Sequence, residues 1–322
     1  MRLLFFFILV LELSSKYESK ILPAEPYKLS SQRNMFSPSK FFVLGLFRPG
    51  ADERWYLGIW HHRFPEQVVW VANRDTPLSE PIGTLEIMDA NIVLLDEHGT
   101  RVWWTNGTST TPMGSPLIGE LLDSGNLVLR HSKSGGFLWQ SFDFPTDALV
   151  SEMKLGWDAK SNLNRVLKSW RSFDDPSSGE FTFGVERHGL VQSFIRQKGV
   201  PTFRDGPWNT ITDGKIGENL TYATYSILVT EDEASYFFRL TNDSFFSILR
   251  LDYGGRLKQS TWIPKALKPK EHTIPEDMCG WYNKCGANAL CGRDASRENC
   301  DCLPGFKPRP RSMGFARLGW WV

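Results

Sequence analysis

Three segments in the first half of the chain repeat one pattern: VVWVANRD at 68–75, VWWTNGT at 102–108 and FLWQSFD at 137–143. Each is an apolar, strand-like run that carries a tryptophan and ends in polar turn residues. Trp70, Trp103 and Trp139 stand 33 and 36 residues apart. Between them lie two hairpin-like runs, LEIMDANIVLLD (85–96) and GELLDSGNLVLR (119–130). Their Asp89-Ala-Asn91 and Asp123-Ser-Gly-Asn126 centres have turn chemistry flanked by strand formers. A regular period marks one supersecondary unit used repeatedly. One small sheet cannot bury its apolar face alone. Three can enclose a common core, with the indoles as its bulkiest members. The pattern therefore predicts an all-β, three-sheet domain with Trp70, Trp103 and Trp139 inside it.

The chain opens with Met1-Arg2 and the unbroken apolar run Leu3 to Leu11. Nine residues are too few to span a bilayer but suit the core of a secretory signal. Residues 1–20 are assigned to it, with cleavage expected between Ser15 and Ala24. No later stretch reaches the ~18 apolar residues of a membrane span. Asn106-Gly-Thr108, Asn219-Leu-Thr221 and Asn242-Asp-Ser244 are acceptor sequons for N-glycans, consistent with a secreted, extracellular protein. A formal net charge of +1 lacks the clustered basic residues that neutralising phosphates requires, so nucleic acid is not expected as a partner.

From Leu163 to Ile263 short runs of alternating polarity are separated by turn signals such as Asp174-Asp-Pro-Ser-Ser-Gly179 and Tyr253-Gly-Gly255. They predict a second antiparallel β domain over 160–263, after a first over 25–155. The Lys/Pro-rich stretch 264–275 reads as a linker. All five cysteines follow, at 279, 285, 291, 300 and 302. Zinc sites want closer pairs or histidine partners, so in an exported chain disulfides are the better reading.

Several strings go further. The arrangement of the repeats resembles the bulb-type mannose-binding lectins, three-sheet β-prisms whose sugar motif is Q-x-D-x-N-x-V-x-Y. The first copy here keeps Asp89, Asn91 and Val93 but has Ile87 and Leu95 at the ends. The second keeps Asn126 and Val128, with Leu122, Ser124 and Arg130 elsewhere. Each lost hydrogen bond forfeits roughly 0.5–1.5 kcal/mol, so mannose binding is expected to be mostly gone. FVLGLF (42–47), WYLGIW (55–60), VVWVANRDTPLS (68–79), WQSFDFPTDALVSEMKLGWD (139–158), RSFDDPSSGEFTFGVE (171–186) and RDGPWN (204–209) resemble the S-domain proteins of plants. That family includes S-locus glycoproteins and the ectodomains of S-receptor-type serine/threonine kinases. The resemblance covers about Phe36 to Pro310.

It implies that 160–263 is the S-locus glycoprotein domain, and that the chain binds an extracellular protein or peptide in the manner of pollen recognition. The partner implied is a small cysteine-rich protein, with a homo- or heterodimer with S-domain receptors also in view. The cysteine spacing and CLPGF (302–306) resemble an EGF-like module over 276–322. Carried over, its pairing gives Cys279–Cys291 and Cys285–Cys300. Cys302 is left without a sixth cysteine, so the module reads as incomplete. The alternatives are a true mannose-type lectin and a truncated fragment of a receptor-like kinase.

Catalytic signatures are missing from the sequence. There is no phosphate-cradling loop, HExxH or G-x-S-x-G, and the residues suggest no cofactor and no metal site. Asn73-Arg-Asp75 lacks the companions of a kinase catalytic loop and reads as structural. His61 and His62 point to opposite faces of a strand, so a solvated turn or edge is expected rather than a metal site. Asp174 and Asp175 read as turn residues rather than a glycosidase pair.

Overall fold

A computed structural model describes residues 19–307, apart from 24, 108–114, 134, 187–188, 207–221 and 295–296. The protein is all-β, and among the described residues there is no α-helix. Three short strands come first: β1 (Lys20–Ile21), β2 (Tyr27–Ser30) and β3 (Met35–Phe36). Three meanders follow. They are β4 (Phe42–Phe47), β5 (Tyr56–His61) and β6 (Phe64–Val71); β7 (Ile82–Met88), β8 (Asn91–Leu95) and β9 (Arg101–Trp104); and β10 (Leu117–Leu121), β11 (Leu127–His131) and β12 (Phe137–Gln140). Each meander takes one leading strand in reverse order, giving the sheets β3-β4-β5-β6, β2-β7-β8-β9 and β1-β10-β11-β12. This is a three-sheet prism.

At its centre Trp70, Trp103 and Trp139 form a triangle. Their ring centroids lie 5.6, 5.9 and 6.1 Å apart, with planes 67–76° from one another. Edge-to-face packing sets the positive edge of one ring on the negative face of the next. Burying an indole removes about 150–250 Å² from water, an upper estimate of roughly 4–6 kcal/mol each at 25 cal/mol per Å². Strands β4 and β5 are buried on both faces. Leu44, Leu46, Leu57 and Ile59 face the prism interior, while Val43, Tyr56 and Trp60 face outward into a second cluster with Val68, Val71 and Trp170. That explains why FVLGLF and YLGIW read as continuous apolar runs rather than alternating ones.

The second half repeats the architecture. Strands β13 (Ala148–Val150), β14 (Leu155–Asp158) and β15 (Leu163–Arg165) lead. A meander of β16 (Leu167–Ser172), β17 (Asp175–Glu186), β18 (Gln192–Gln197) and β19 (Val200–Asp205) follows. Next come β20 (Ala223–Val229), β21 (Glu233–Leu240), β22 (Phe246–Leu251), β23 (Leu257–Trp262) and β24 (Lys270–Ile274). The sheets are β16-β17-β18-β19, β15-β14-β21-β20 and β13-β22-β23-β24. Tyr225, Tyr236, Phe238 and Phe183 fill this second core instead of an indole triangle. Tyr225 donates to Gln259 Oε1, and Gln259 Nε2 donates to Ser247 Oγ at 3.1 Å, so these three buried side chains satisfy one another. Gly156 is obligatory in β14: its φ is +117°, and a Cβ would stand 2.1 Å from the Ala234 carbonyl.

Three boundaries differ from those read in the sequence. The first prism takes in Lys20–Ile21, with Ile21 fully buried, ahead of residue 25. The second begins at Ala148, because β13 pairs with β22 and β14 with β21, far along the chain. Residues 264–275 are not a free linker. Lys270–Ile274 completes a sheet by pairing with β23, and Ile274 packs on the core. Its lysines are exposed, and Pro264 and Pro269 precede the strand, which hid the pairing.

The cysteine-rich segment is a hairpin of β25 (Ala289–Asp294) and β26 (Arg297–Cys302). It is tied by Cys279–Cys291 and Cys285–Cys300, and the Cys302 thiol is free. Tyr282 N donates to Thr202 O at 2.7 Å, which covers the free edge of β19.

Candidate functional site

The hairpin joining β7 to β8 carries the first copy of the sugar motif. Met88 pairs with Asn91, leaving a two-residue loop of Asp89 and Ala90, both at positive φ (48° and 58°). Two left-handed loop residues make the type I′ turn that matches strand twist. Asn91 is committed to this loop. Its Nδ2 donates to Asp89 O at 2.9 Å, and its Oδ1 accepts from Thr105 Oγ1 at 2.9 Å and Gly107 N at 2.7 Å. Asp89 is solvent-exposed and meets Arg101 at 3.4 Å. Val93 is fully buried, opposite Glu86 and Trp104, so it offers no surface to a sugar ring. Ile87, at the motif's Gln position, pairs with Ile92 and packs on the core.

The second copy is occupied more completely. Gly125, at φ +85°, donates its N–H to Leu122 O at 2.9 Å. Asn126 is buried, and its Oδ1 accepts from Ser141 Oγ at 3.1 Å and Phe142 N at 3.2 Å. Its Nδ2 donates to Gln140 Oε1 at 2.9 Å; Gln140 Nε2 donates to Asp143 Oδ2 at 3.1 Å; and Asp143 Oδ1 receives Arg165 Nε and Nη2 at 2.8 and 2.6 Å. One motif residue thus heads a polar chain that ends on the second prism. Val128 is fully buried, and Arg130 is paired with Glu120 at 2.7 Å. The structure keeps Asp89, Asn91 and Val93 in one hairpin and Asn126 and Val128 in another, and uses most of their polar atoms internally.

The Asn73-Arg74-Asp75 string is an inter-prism latch. Asn73 Oδ1 accepts from Leu57 N at 2.7 Å. The Arg74 guanidinium donates to the carbonyls of Pro176 (2.8 Å), Ser169 (2.7 Å) and Lys168 (3.1 Å), and burial lowers its pKa. Asp75 accepts from Ser178 N at 2.8 Å and Ser178 Oγ at 3.0 Å. Arg250 answers from the other side, donating to Val68 O at 2.6 Å and to the buried Asp147 carboxylate. His61 is not solvated. It is buried between Phe64 and Phe246, with centroids at 5.1 and 4.2 Å, and its pKa is lowered to about 4, chiefly by burial. His62 is exposed, in keeping with its opposite orientation. Neither these contacts nor the lone turn signals marked residues 61 and 74 as interface residues in the sequence.

Asn106 and Asn242 are exposed, whereas Asn219 lies outside the described residues. The segment 1–18 also lies outside them. No described helix is long and apolar enough to cross a membrane, and no cluster of His, Cys, Asp or Glu among the described residues could hold a metal ion.

Residues 67–171 match the D-mannose binding lectin family and 203–310 match the S-locus glycoprotein domain; neither is a kinase domain. The first match crosses from β6 into β16, so it spans the prism boundary rather than one prism. Receptor-like serine/threonine-protein kinase SD1-8 of Arabidopsis thaliana is 45% identical over 315 residues, covering 95% of this chain and 37% of that protein. S-locus-specific glycoprotein S6 of Brassica oleracea is 42% identical over 95% of this chain and 72% of its own length. S-locus-specific glycoprotein BS29-2 of Brassica oleracea var. alboglabra is 40% identical with the same coverage. The chain thus spans little more than a third of the kinase relative and most of the two glycoproteins. Its tandem prisms, its disulfide-tied hairpin and this similarity together show that the chain belongs to the S-locus glycoprotein family, the S-domain proteins of plants.

Proposed function

We propose that this S-domain protein is a secreted, extracellular recognition glycoprotein that binds a protein or peptide ligand, in the manner of pollen recognition, and is not itself an enzyme. The observation that supports this best is that the fold consumes its own sugar motif. Asn91 and Asn126 direct their carboxamides into the turn and the inter-prism chain, and Val93 and Val128 are buried. A face that has lost its sugar contacts while the scaffold persists fits selection for another kind of ligand. The relatives include S-locus-specific glycoproteins and receptor-like kinases, and a small cysteine-rich protein is the partner class we favour.

The test is direct. The glycosylated chain, immobilised, is presented with purified small cysteine-rich secreted proteins from pollen coat and with mannose oligosaccharides. Saturable binding of one such protein, with no response to mannose, is the expected result. Mannose binding abolished by Asn91→Ala would reverse the reading in favour of the lectin.

A further inference from the structure

The residue after each central tryptophan points to the outer face of its sheet, and the three meet different surroundings. Val71 is buried in the cluster that Trp170 of the second prism joins. Gln140 enters the polar chain that runs through Asp143 to Arg165, also on the second prism. Trp104 is their counterpart, pairing with Val93 as Gln140 pairs with Val128. Its indole is 43% exposed, and Met88 on the same sheet is 38% exposed. β9 is also the outer strand of its sheet, and an apolar side chain on an open edge invites pairing with another chain.

Two residues further on stands Asn106, the first residue of Asn106-Gly-Thr108. The chain here is built, not loose. Thr105 N donates to Ile92 O at 3.1 Å, so the strand pairing runs up to the residue before Asn106. Asn91 Oδ1 accepts from Thr105 Oγ1 and from Gly107 N, which clasps the backbone on both sides of Asn106. Asn106 itself is held at φ +49° and is exposed, and its carboxamide has no hydrogen-bond partner among the described residues. The indole is braced as well: Arg101 lies 5.7 Å from its centroid and is tied to Asp89 at 3.4 Å. Two residues of chain span at most about 7 Å, so a sugar joined to Asn106 can reach the ring of Trp104. A pyranose has an apolar C–H face that suits a flat indole.

We propose that Asn106 carries an N-glycan whose innermost N-acetylglucosamine lies on Trp104, so that the chain's own covalent sugar covers the exposed indole and shields the edge of β9. This rests on the reading of the chain as a secreted glycoprotein. Asn106 Nδ2 gives up one proton and bonds C1 of the sugar, displacing the lipid diphosphate of a lipid-linked oligosaccharide donor. The face so covered is then closed to a protein ligand.

The test uses the full chain secreted from eukaryotic cells. Mass spectrometry should find Asn106 glycosylated. Thr108→Ala removes the acceptor sequence and leaves Asn106 in place. Hydroxyl-radical footprinting should label Trp104 strongly in Thr108→Ala, and the glycosylated chain should lose most of that labelling. Loss of the glycan should lower the folding equilibrium constant about fivefold in the native sequence and leave it unchanged in Trp104→Ala, whereas Trp104→Tyr keeps a ring and should keep the coupling. The footprint needs no change at Trp104, so it decides the matter even where Trp104→Ala folds poorly. An unmodified Asn106, equal labelling of Trp104 in both chains, or equal losses with and without the indole would each overturn the proposal. Protection that persists in Thr108→Ala and grows with protein concentration would overturn it too, and would give the face to a second copy of the chain. A glycan at Asn106 that leaves Trp104 unprotected ends this proposal alone; no glycan at any of the three sequons ends the secreted-glycoprotein reading with it.

Discussion

The imidazole of His61 lies on the ring of Phe246 with centroids 4.2 Å apart and planes 28° apart, and the two residues belong to different prisms. Burial lowers the His61 pKa from 6.5 to about 4. Above pH 6.5 the ring is neutral whether the chain is folded or not, and the stability is complete. Between pH 6.5 and about 4 the unfolded chain takes up a proton that the folded chain refuses. Stability therefore falls with falling pH across that window, by about 3 kcal/mol in all, and this contribution flattens below it. Urea midpoints at pH 7 and pH 4.5 measure the slope. His61→Phe should reduce it, and an unchanged slope would place the acid sensitivity elsewhere.

The indole triangle makes a second expectation quantitative. Trp70 also donates Nε1–H to Phe144 O at 2.9 Å. Trp70→Ala leaves a large cavity and an unanswered carbonyl, and should destabilise the first prism by about 3–5 kcal/mol. Denaturant unfolding followed by fluorescence checks this, and a loss under about 1 kcal/mol would show that the triangle does not carry the core.

The latch predicts cooperative behaviour. Arg74→Ala removes donors from four carbonyls at the inter-prism seam, those of Lys168, Ser169, Pro176 and Ser177. It should cost about 2–4 kcal/mol and split one calorimetric transition into two, as the prisms begin to melt separately. Asp75→Asn keeps the size of the side chain and should have a smaller effect.

Two disulfides and one thiol give a covalent prediction. Alkylation of the native chain should label Cys302 alone, and mild reduction should free four more thiols while the prisms keep their strands. Mass spectrometry and circular dichroism read the two results. Losing the Cys279–Cys291 bridge, which closes a separation of 12 residues, should loosen the module by about 2–4 kcal/mol.

The sheet that uses β1 predicts where processing stops. Ser19 O accepts from Leu121 N at 3.0 Å, and Ile21 is fully buried. On the proposed secretion, N-terminal sequencing of the chain recovered from the medium of expressing cells should find the first residue at Ser19 or before it. A start beyond Ile21 would mean that the sheet forms without its first strand.

The first prism was legible because its repeat is built on tryptophan, a rare residue whose spacing is easily seen. The second was legible only as an antiparallel β region. Its units share no such marker: Tyr225, Tyr236 and Phe183 fill the core at irregular spacing, and its middle sheet is assembled from two hairpins, β14–β15 and β20–β21. Composition misled at 264–275, where lysines and prolines around a five-residue strand imitate a connector. At the candidate sugar site the residues were readable but their partners were not. Nothing local to Asn126 announces that its amide is the first link of a chain reaching Arg165. The burial of His61 was hidden for the same reason, since Phe246 lies 185 positions away.

The reversed docking of the leading strands fixes an order of assembly. β3 can join β4 as soon as both exist, β2 must wait for β7, and β1 must wait for β10, about a hundred residues later. During synthesis the residues made first are thus the last to find a neighbour. The growing chain must carry an exposed, sticky leading end through most of the first prism's translation, and a folding helper that shields this end should matter more to yield than any single core contact.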